Sequence, residues 1–160
     1  NPSSNSKLGN GYAPVIQMMH KGVNLCIGTD SVASNNTLNM FREMGHLSFL
    51  HKALSNDPTA LPAQDIIKMS TTNAAKALAM DGLLGEIKEG AYADMIFVDL
   101  RAPSMFPNNN IISSLCYSSN GSEVSSVMIN GQFVLRDNEM LTIDVEQVYF
   151  EIDKIVKKYL

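Results

Sequence analysis

Residues 14–30 combine a predicted helix with a short apolar strand that follows it directly. Pro14 suits the first turn of a helix, and Gly22 is typical of the residue at which a helix ends. The run Val23–Ile27 is β-prone, and Gly28, Thr29 and Asp30 close it. A helix that leads straight into an apolar strand is typical of parallel α/β sheets and barrels. The segment therefore predicts an α/β fold.

Three more helices are predicted in the first half of the chain. Apolar residues recur at three- and four-residue spacing from Thr37 to Leu54, which is the pattern of an amphipathic helix. Proline at position 62 opens the next helix, which runs from Ala63 to about Met69. An alanine-rich helix then ends before Gly82. We accordingly predict a first domain over residues 1–82.

Beyond residue 82 the chain changes to short β-prone runs that are separated by glycines. Strands are predicted over residues 94–100, 124–129 and 132–135. The pair Asn130-Gly131 predicts a type I′ hairpin between the last two, because both residues tolerate a positive φ. A terminal helix is predicted after Asp144, whose side chain can cap it. Residues 83–160 are therefore predicted to form a second, β-rich domain. The apolar stripe of the terminal helix comprises Val148, Ile152, Ile155 and Tyr159.

The composition excludes several classes of protein. With 45% hydrophobic and 18% charged residues, the chain can bury a core, which a disordered chain cannot do. A net charge of −4 argues against nucleic acid as a partner. No apolar run reaches the ~18 residues that span a membrane, and the polar opening residues predict no signal peptide. Cys26 and Cys116 lack the spacing of a redox or zinc motif, so we expect reduced thiols in a cytoplasmic protein.

Asp30 is the strongest candidate for a functional residue. It follows the predicted strand at its carboxyl end, where ligands and catalytic groups lie in parallel α/β folds. A carboxylate there can bind a divalent metal or accept a proton from an activated water. The alternative is an aspartate that only ends a strand and starts a turn, which the residue type also favours.

The three histidines are weaker candidates for metal ligands. His46 and His51 are five residues apart on a predicted helix, so their side chains diverge by about 140°. We therefore interpret them as surface or interface residues. His20 falls in the last turn of a helix, where a partly charged imidazole is favourable.

Several segments together resemble one family. The chain is similar to the amidohydrolase superfamily, and more narrowly to its methylthioadenosine/S-adenosylhomocysteine deaminases and related chlorohydrolases. The Gly-Thr-Asp segment with its Ser-Asn-Asn loop is the more specific part, and the likeness covers nearly the whole chain. The segments that carry it are Asn1–Leu8, Gly22–Asp30, Ala33–Asn36, Asp57–Ala63, Gly85–Ile96, Asn120–Val124 and Val127–Gly131.

The resemblance implies a fold and a chemistry. Members have a (β/α)₈ barrel with one catalytic metal ion, zinc or iron, and a small β-sandwich. Residues 1–82 would then be the C-terminal part of the barrel, and residues 83–160 the C-terminal part of the sandwich with a terminal helix. Asp30 matches the aspartate after the last barrel strand, which contacts the metal and takes the proton of the attacking water. The expected reaction is hydrolytic deamination of an adenine-type nucleoside.

The chain also departs from the family pattern. The resemblance implies an HxH pair, two further histidines and a glutamate that protonates the substrate ring, yet no HxH occurs and no histidine precedes His20. We therefore expect the chain to be the C-terminal portion of a longer enzyme, inactive alone and unable to retain the metal. The missing N-terminal half, or another chain, would cover its exposed edge, and a homo-oligomer is one form this could take.

Three functions remain open at this point. The first is the adenine-nucleoside deaminase just described, with a small-molecule substrate whose contacts the sequence does not identify. The second keeps the fold and changes the leaving group, as in a chlorohydrolase or a guanine-type deaminase. The third is a non-catalytic module that self-associates through its exposed edge.

Overall fold

The computed structural model describes residues 1–159, which form two compact units. The first contains residues 1–91 and 99–123, and the second contains residues 92–98 and 124–159. The helices of the first unit are α1 (Pro2–Lys7), α2 (Val15–His20), α3 (Val32–Asn35), α4 (Met40–Ser55), α5 (Ala63–Ser70), α6 (Thr72–Ala77) and α7 (Ile111–Tyr117). The second unit holds β1 (Met95–Val98), β2 (Val124–Ile129), β3 (Gln132–Arg136), β4 (Glu139–Met140) and α8 (Val145–Tyr159).

Helix α4 is the centre of the first unit. It was predicted to begin at Thr37, but it begins three residues later because the side chain of Asn39 accepts a hydrogen bond from the backbone N–H of Arg42. It ends at Ser55, because the next residue, Asn56, has a left-handed φ of 50°. Helices α5 and α7 pack against α4, and the helix predicted from Ala63 is confirmed as α5.

The core of the first unit is apolar. Ile66 of α5 is fully buried, and Met44 and Leu47 of α4 are nearly so. Helix α7 contributes Cys116, which is 1% exposed, although the sequence analysis did not predict this helix. The remaining members of the core cluster are Val15, Ile27, Leu61, Ala63 and Met69.

The prediction of a strand at Val23–Ile27 is wrong for residues 1–159, where the segment has no strand ladder. Its polar groups bond elsewhere: the N–H of Ile27 donates to the carbonyl of Met69 at 3.2 Å. The Asn73 amide donates to the carbonyl of Leu25 at 3.0 Å. A ladder needs a neighbouring strand, and every strand of the described chain belongs to the sheet of the second unit.

The second unit contains an antiparallel sheet in the order β1-β2-β3-β4. The predicted hairpin at Asn130-Gly131 is confirmed, because both residues have positive φ (48° and 78°) and Ile129 pairs with Gln132. A second turn of the same kind, at Asp137 and Asn138, joins β3 to the short strand β4. The sequence analysis did not predict that strand.

Helix α8 follows the sheet. Its predicted cap is confirmed, because the backbone N–H of Gln147 donates to Oδ1 of Asp144 at 2.9 Å. No residue between Val145 and Tyr159 is buried, so the whole apolar stripe is exposed. None of the helices within residues 1–159 is long and apolar enough to cross a membrane.

Candidate active site

Asp30 lies on the exposed side of the first unit, between Ile27 of the core and the start of α3. Its φ of 61° is left-handed, a conformation that a residue other than glycine adopts at a cost of about 1–3 kcal/mol. Such strain persists only where the surroundings hold the residue in place. The contacts of the side chain are therefore informative.

Two hydrogen bonds orient the Asp30 carboxylate. The hydroxyl of Ser4 donates to Oδ2 at 2.6 Å, and the backbone N–H of Ser31 donates to Oδ1 at 2.8 Å. The Ser4 bond, and after it the Ser31 bond, lower the pKa of Asp30 below its ordinary value. The group is therefore an anion at neutral pH, and each oxygen keeps a lone pair for another partner.

A fully buried glutamate lies beneath this loop. Oε2 of Glu43, on α4, accepts the backbone N–H of Ser3 at 3.0 Å, and Oε1 accepts the Asn35 amide at 2.8 Å. The same Asn35 nitrogen donates to the carbonyl of Thr29 at 2.6 Å. Glu43 thus links α1, α3 and the residue that precedes Asp30.

Helix α1 approaches the segment before Asp30 very closely. A Cβ on Gly28 would lie 2.9 Å from Oδ1 of Asn1, which is closer than real side chains come. This atom is the end of a flexible, exposed side chain, which could move aside for a small substituent. The close approach of α1 brings its first turn, with Ser3 and Ser4, next to the Asp30 loop.

The histidines do not join Asp30 in a metal site. His46 lies 3.0 Å from the hydroxyl of Ser6 and is partly exposed, and His20 is exposed in the last turn of α2. His51 was predicted to be a surface or interface residue, but it is only 4% exposed, because α4 buries a wide face against the core. Its Nε2 is buried without a hydrogen-bond partner in the described chain.

The possible metal ligands within residues 1–159 do not by themselves form a metal site. No three His, Cys, Asp or Glu side chains converge on a possible cation position anywhere in residues 1–159. Asp30 has the right chemistry for a single ligand, since it is ionised, exposed and carries free lone pairs. A catalytic zinc site takes about three protein ligands, so the others would have to come from outside these residues.

Sequence reasoning identified Asp30 and missed its supports. Ser4 is 26 positions away from Asp30, and no motif connects the two. Glu43 interrupts the apolar pattern of α4 only as an ordinary polar residue would. The one signal that could have identified Glu43 is a charged residue on the face of α4 that packs against the core. That signal can be used only when it is known which face of the helix is buried.

Comparison with known proteins decides the family. The model of the Amidohydrolase family matches residues 1–134. The chain belongs to the amidohydrolase family. The family resemblance predicted from the sequence is thereby confirmed.

Two deaminases are similar to the chain over almost its full length. It is 44% identical over all 160 residues to a 5-methylthioadenosine/S-adenosylhomocysteine deaminase of Thermoanaerobacter pseudethanolicus. It also superposes on an adenosine deaminase of Xanthomonas campestris with bound zinc, with a TM-score of 0.93 and 35% identity over 98% of the chain. The chain spans 37% of the length of the first relative and 36% of the second.

A third similarity concerns the fold alone. An atrazine chlorohydrolase of Arthrobacter aurescens, complexed with zinc, superposes with a TM-score of 0.81 over 96% of this chain and 34% of its own length. Its identity to the chain is 23%, so it shows a shared amidohydrolase fold.

Proposed function

We propose that the chain is the C-terminal portion of a metal-dependent amidohydrolase that deaminates an adenine-type nucleoside, with methylthioadenosine and S-adenosylhomocysteine as its substrate class. The observation that carries the proposal is the 44% identity to such a deaminase over all 160 residues. In this proposal residues 1–82 complete the (β/α)₈ barrel and residues 83–160 complete the small β-sandwich.

Asp30 is the residue of this chain that we assign to the metal, zinc or iron, and to proton transfer. When bound, the metal supplies a hydroxide-like water near neutral pH, because it lowers the pKa of that water to about 7. The hydrogen bonds from Ser4 and Ser31 use one lone pair on each carboxylate oxygen and leave the others free. Asp30 can therefore keep its orientation while it takes part in the reaction.

The proposed proton path begins and ends on Asp30. The carboxylate accepts the proton of the water that attacks the amine-bearing ring carbon. A C–O bond forms as the π pair of the ring C=N bond moves to the ring nitrogen, which would be protonated by the glutamate that the family resemblance implies outside these residues. The carboxyl group then returns its proton to the amine as the C–N bond breaks and ammonia leaves, and the added hydroxyl becomes the ring carbonyl by giving its proton back to that glutamate. A group that serves first as base and then as acid suits this exchange of water for ammonia.

The test uses the full-length protein that contains this chain, purified with zinc. We expect ammonia release from methylthioadenosine or S-adenosylhomocysteine, and a loss of about 10²–10⁴ in kcat for Asp30→Asn. Asp30 is exposed, so the variant should keep the circular dichroism spectrum of the wild type. A zinc-loaded protein that deaminates no purine nucleoside would refute the proposed substrate. Chloride release from a triazine would instead identify a chlorohydrolase.

We further propose that the chain alone does not retain the metal. Support comes from residues 1–159, in which Asp30 is not joined by two other possible ligands. Equilibrium dialysis with zinc should show no tight site on the 160-residue chain and one on the full-length protein. In the full-length protein, the N-terminal half or another chain would cover apolar surface that the chain exposes.

A further inference from the structure

We propose that Ser4 and Glu43 are positioning residues, which hold Asp30 in the orientation that the metal and the proton transfer require. This inference rests on the proposed role of Asp30 and extends it to two side chains that touch neither substrate nor metal. Its basis is a buried hydrogen-bond network with two arms, both of which start at Glu43 and end beside Asp30.

The first arm runs through α1. Oε2 of Glu43 accepts the backbone N–H of Ser3 at 3.0 Å, in the first turn of α1, where helix N–H groups lack partners within the helix. The bond fixes the position of that turn. The next residue, Ser4, is only 2% exposed, and its hydroxyl donates to Oδ2 of Asp30 at 2.6 Å.

The second arm runs through Asn35, which is 3% exposed. Its amide nitrogen has two protons, and it donates one to Oε1 of Glu43 and the other to the carbonyl of Thr29. The second of these bonds fixes the peptide group between Thr29 and Asp30. With both arms in place, the backbone and the carboxylate of Asp30 are each tied to α4.

The burial of Glu43 supports positioning over simple packing. The side chain has no exposed surface, and within residues 1–159 no Lys, Arg or His forms an ion pair with it. Burial of a carboxyl group is costly, and an apolar side chain of similar volume is often as stable or more so. An apolar side chain could not, however, accept the Ser3 and Asn35 hydrogen bonds. These bonds hold the exposed Asp30 in its left-handed conformation, which aspartate tolerates better than most residues but which still costs free energy.

The test compares Ser4→Ala with Ser48→Ala in the full-length zinc protein. Ser48 is a matched control: its hydroxyl is also fully buried and donates one hydrogen bond, to the carbonyl of Leu61 at 2.9 Å, away from Asp30. Both variants should lose similar stability to urea. Ser4→Ala should lower kcat and zinc affinity about tenfold with little change in KM, as loss of a residue that orients a ligand does. Ser48→Ala should leave kcat and zinc affinity at wild-type values.

Glu43→Gln provides the second variant. It keeps the shape of the side chain but turns one oxygen into a donor, which would face the Ser3 N–H or the Asn35 amide. We expect the same pattern as for Ser4→Ala. If Ser4→Ala does not fold, the zinc affinity and kcat of Glu43→Gln test the positioning role. If neither variant folds, the two residues are structural and the proposal fails.

The other outcomes separate this proposal from the proposed function. Wild-type kcat and zinc affinity in Ser4→Ala, or equal losses in Ser48→Ala, would overturn positioning while deamination by the wild type stands. A wild type that deaminates no nucleoside, but whose zinc affinity falls about tenfold in Ser4→Ala, would overturn the substrate and uphold positioning.

Discussion

The hydroxyl of Ser119 donates a 2.8 Å hydrogen bond to Oε2 of Glu123, four residues further along the chain. The backbone N–H of Gly121 donates to the same oxygen at 2.9 Å, and the hydroxyl of Ser104 donates to Oε1. Glu123 is 3% exposed, so its carboxylate organises the loop between α7 and β2 from the inside. Burial alone would raise the pKa of Glu123, but the hydrogen bonds, led by that of Ser104, outweigh it and lower the pKa from 4.5 to about 2.

This lowered pKa predicts how the stability of the protein depends on pH. The stabilisation by Glu123, on the order of 3 kcal/mol, is fully present above pH 4.5 and is lost as the pH falls to about 2. Glu123→Gln should lower the free energy of unfolding at pH 6 and flatten its decline between pH 5 and pH 2. Urea titrations over this range measure both effects. Glu89 is exposed, so Glu89→Gln is the control. If it flattened the dependence of unfolding free energy on pH as much as Glu123→Gln does, the effect would come from the change in net charge and the prediction would be refuted.

Gly85 makes a close backbone contact, so we expect Gly85→Ala to destabilise the fold strongly. A Cβ at this position would lie 2.7 Å from the carbonyl carbon and oxygen of Thr71, between α5 and α6. Gly90 has almost the same φ, 83° against 82°, but nothing lies within 4 Å of its Cβ position. Gly90→Ala should therefore lower the free energy of unfolding by only ~1–2 kcal/mol, because alanine is unfavourable at left-handed φ. Gly85→Ala should lower it by about 1–3 kcal/mol more, because of the added clash. Equal urea midpoints for the two variants would contradict the close approach.

The two thiols should differ sharply in reactivity. Burial raises the pKa of Cys116 to about 11, although the Lys52 ammonium partly opposes the shift. Only about one molecule in a thousand would then carry the Cys116 thiolate at pH 8, and the side chain is 1% exposed. Cys26 is exposed. Iodoacetamide should thus modify Cys26 alone in the folded chain and both cysteines in denaturant, as mass spectrometry can show. Rapid labelling of folded Cys26→Ser would mean that Cys116 is accessible.

Local signals in the sequence were sufficient for several elements. The helix from Ala63, the capped helix after Asp144 and the Asn130-Gly131 hairpin were all predicted. Each depends on residues that are close together in the chain: a periodic apolar pattern, a capping side chain, or two residues that accept positive φ. The family resemblance likewise rested on contiguous segments, and Asp30 was selected from one of them.

What surrounds Asp30 was decided by tertiary structure alone. The Ser4 hydrogen bond joins positions 26 apart, and the two arms of Glu43 converge only because α1, α3 and α4 pack together. The absence of a ladder at Val23–Ile27 has the same origin, since a strand takes its hydrogen bonds from a neighbour and not from its own residues. A sequence states which groups can donate and accept, whereas packing determines which of them meet.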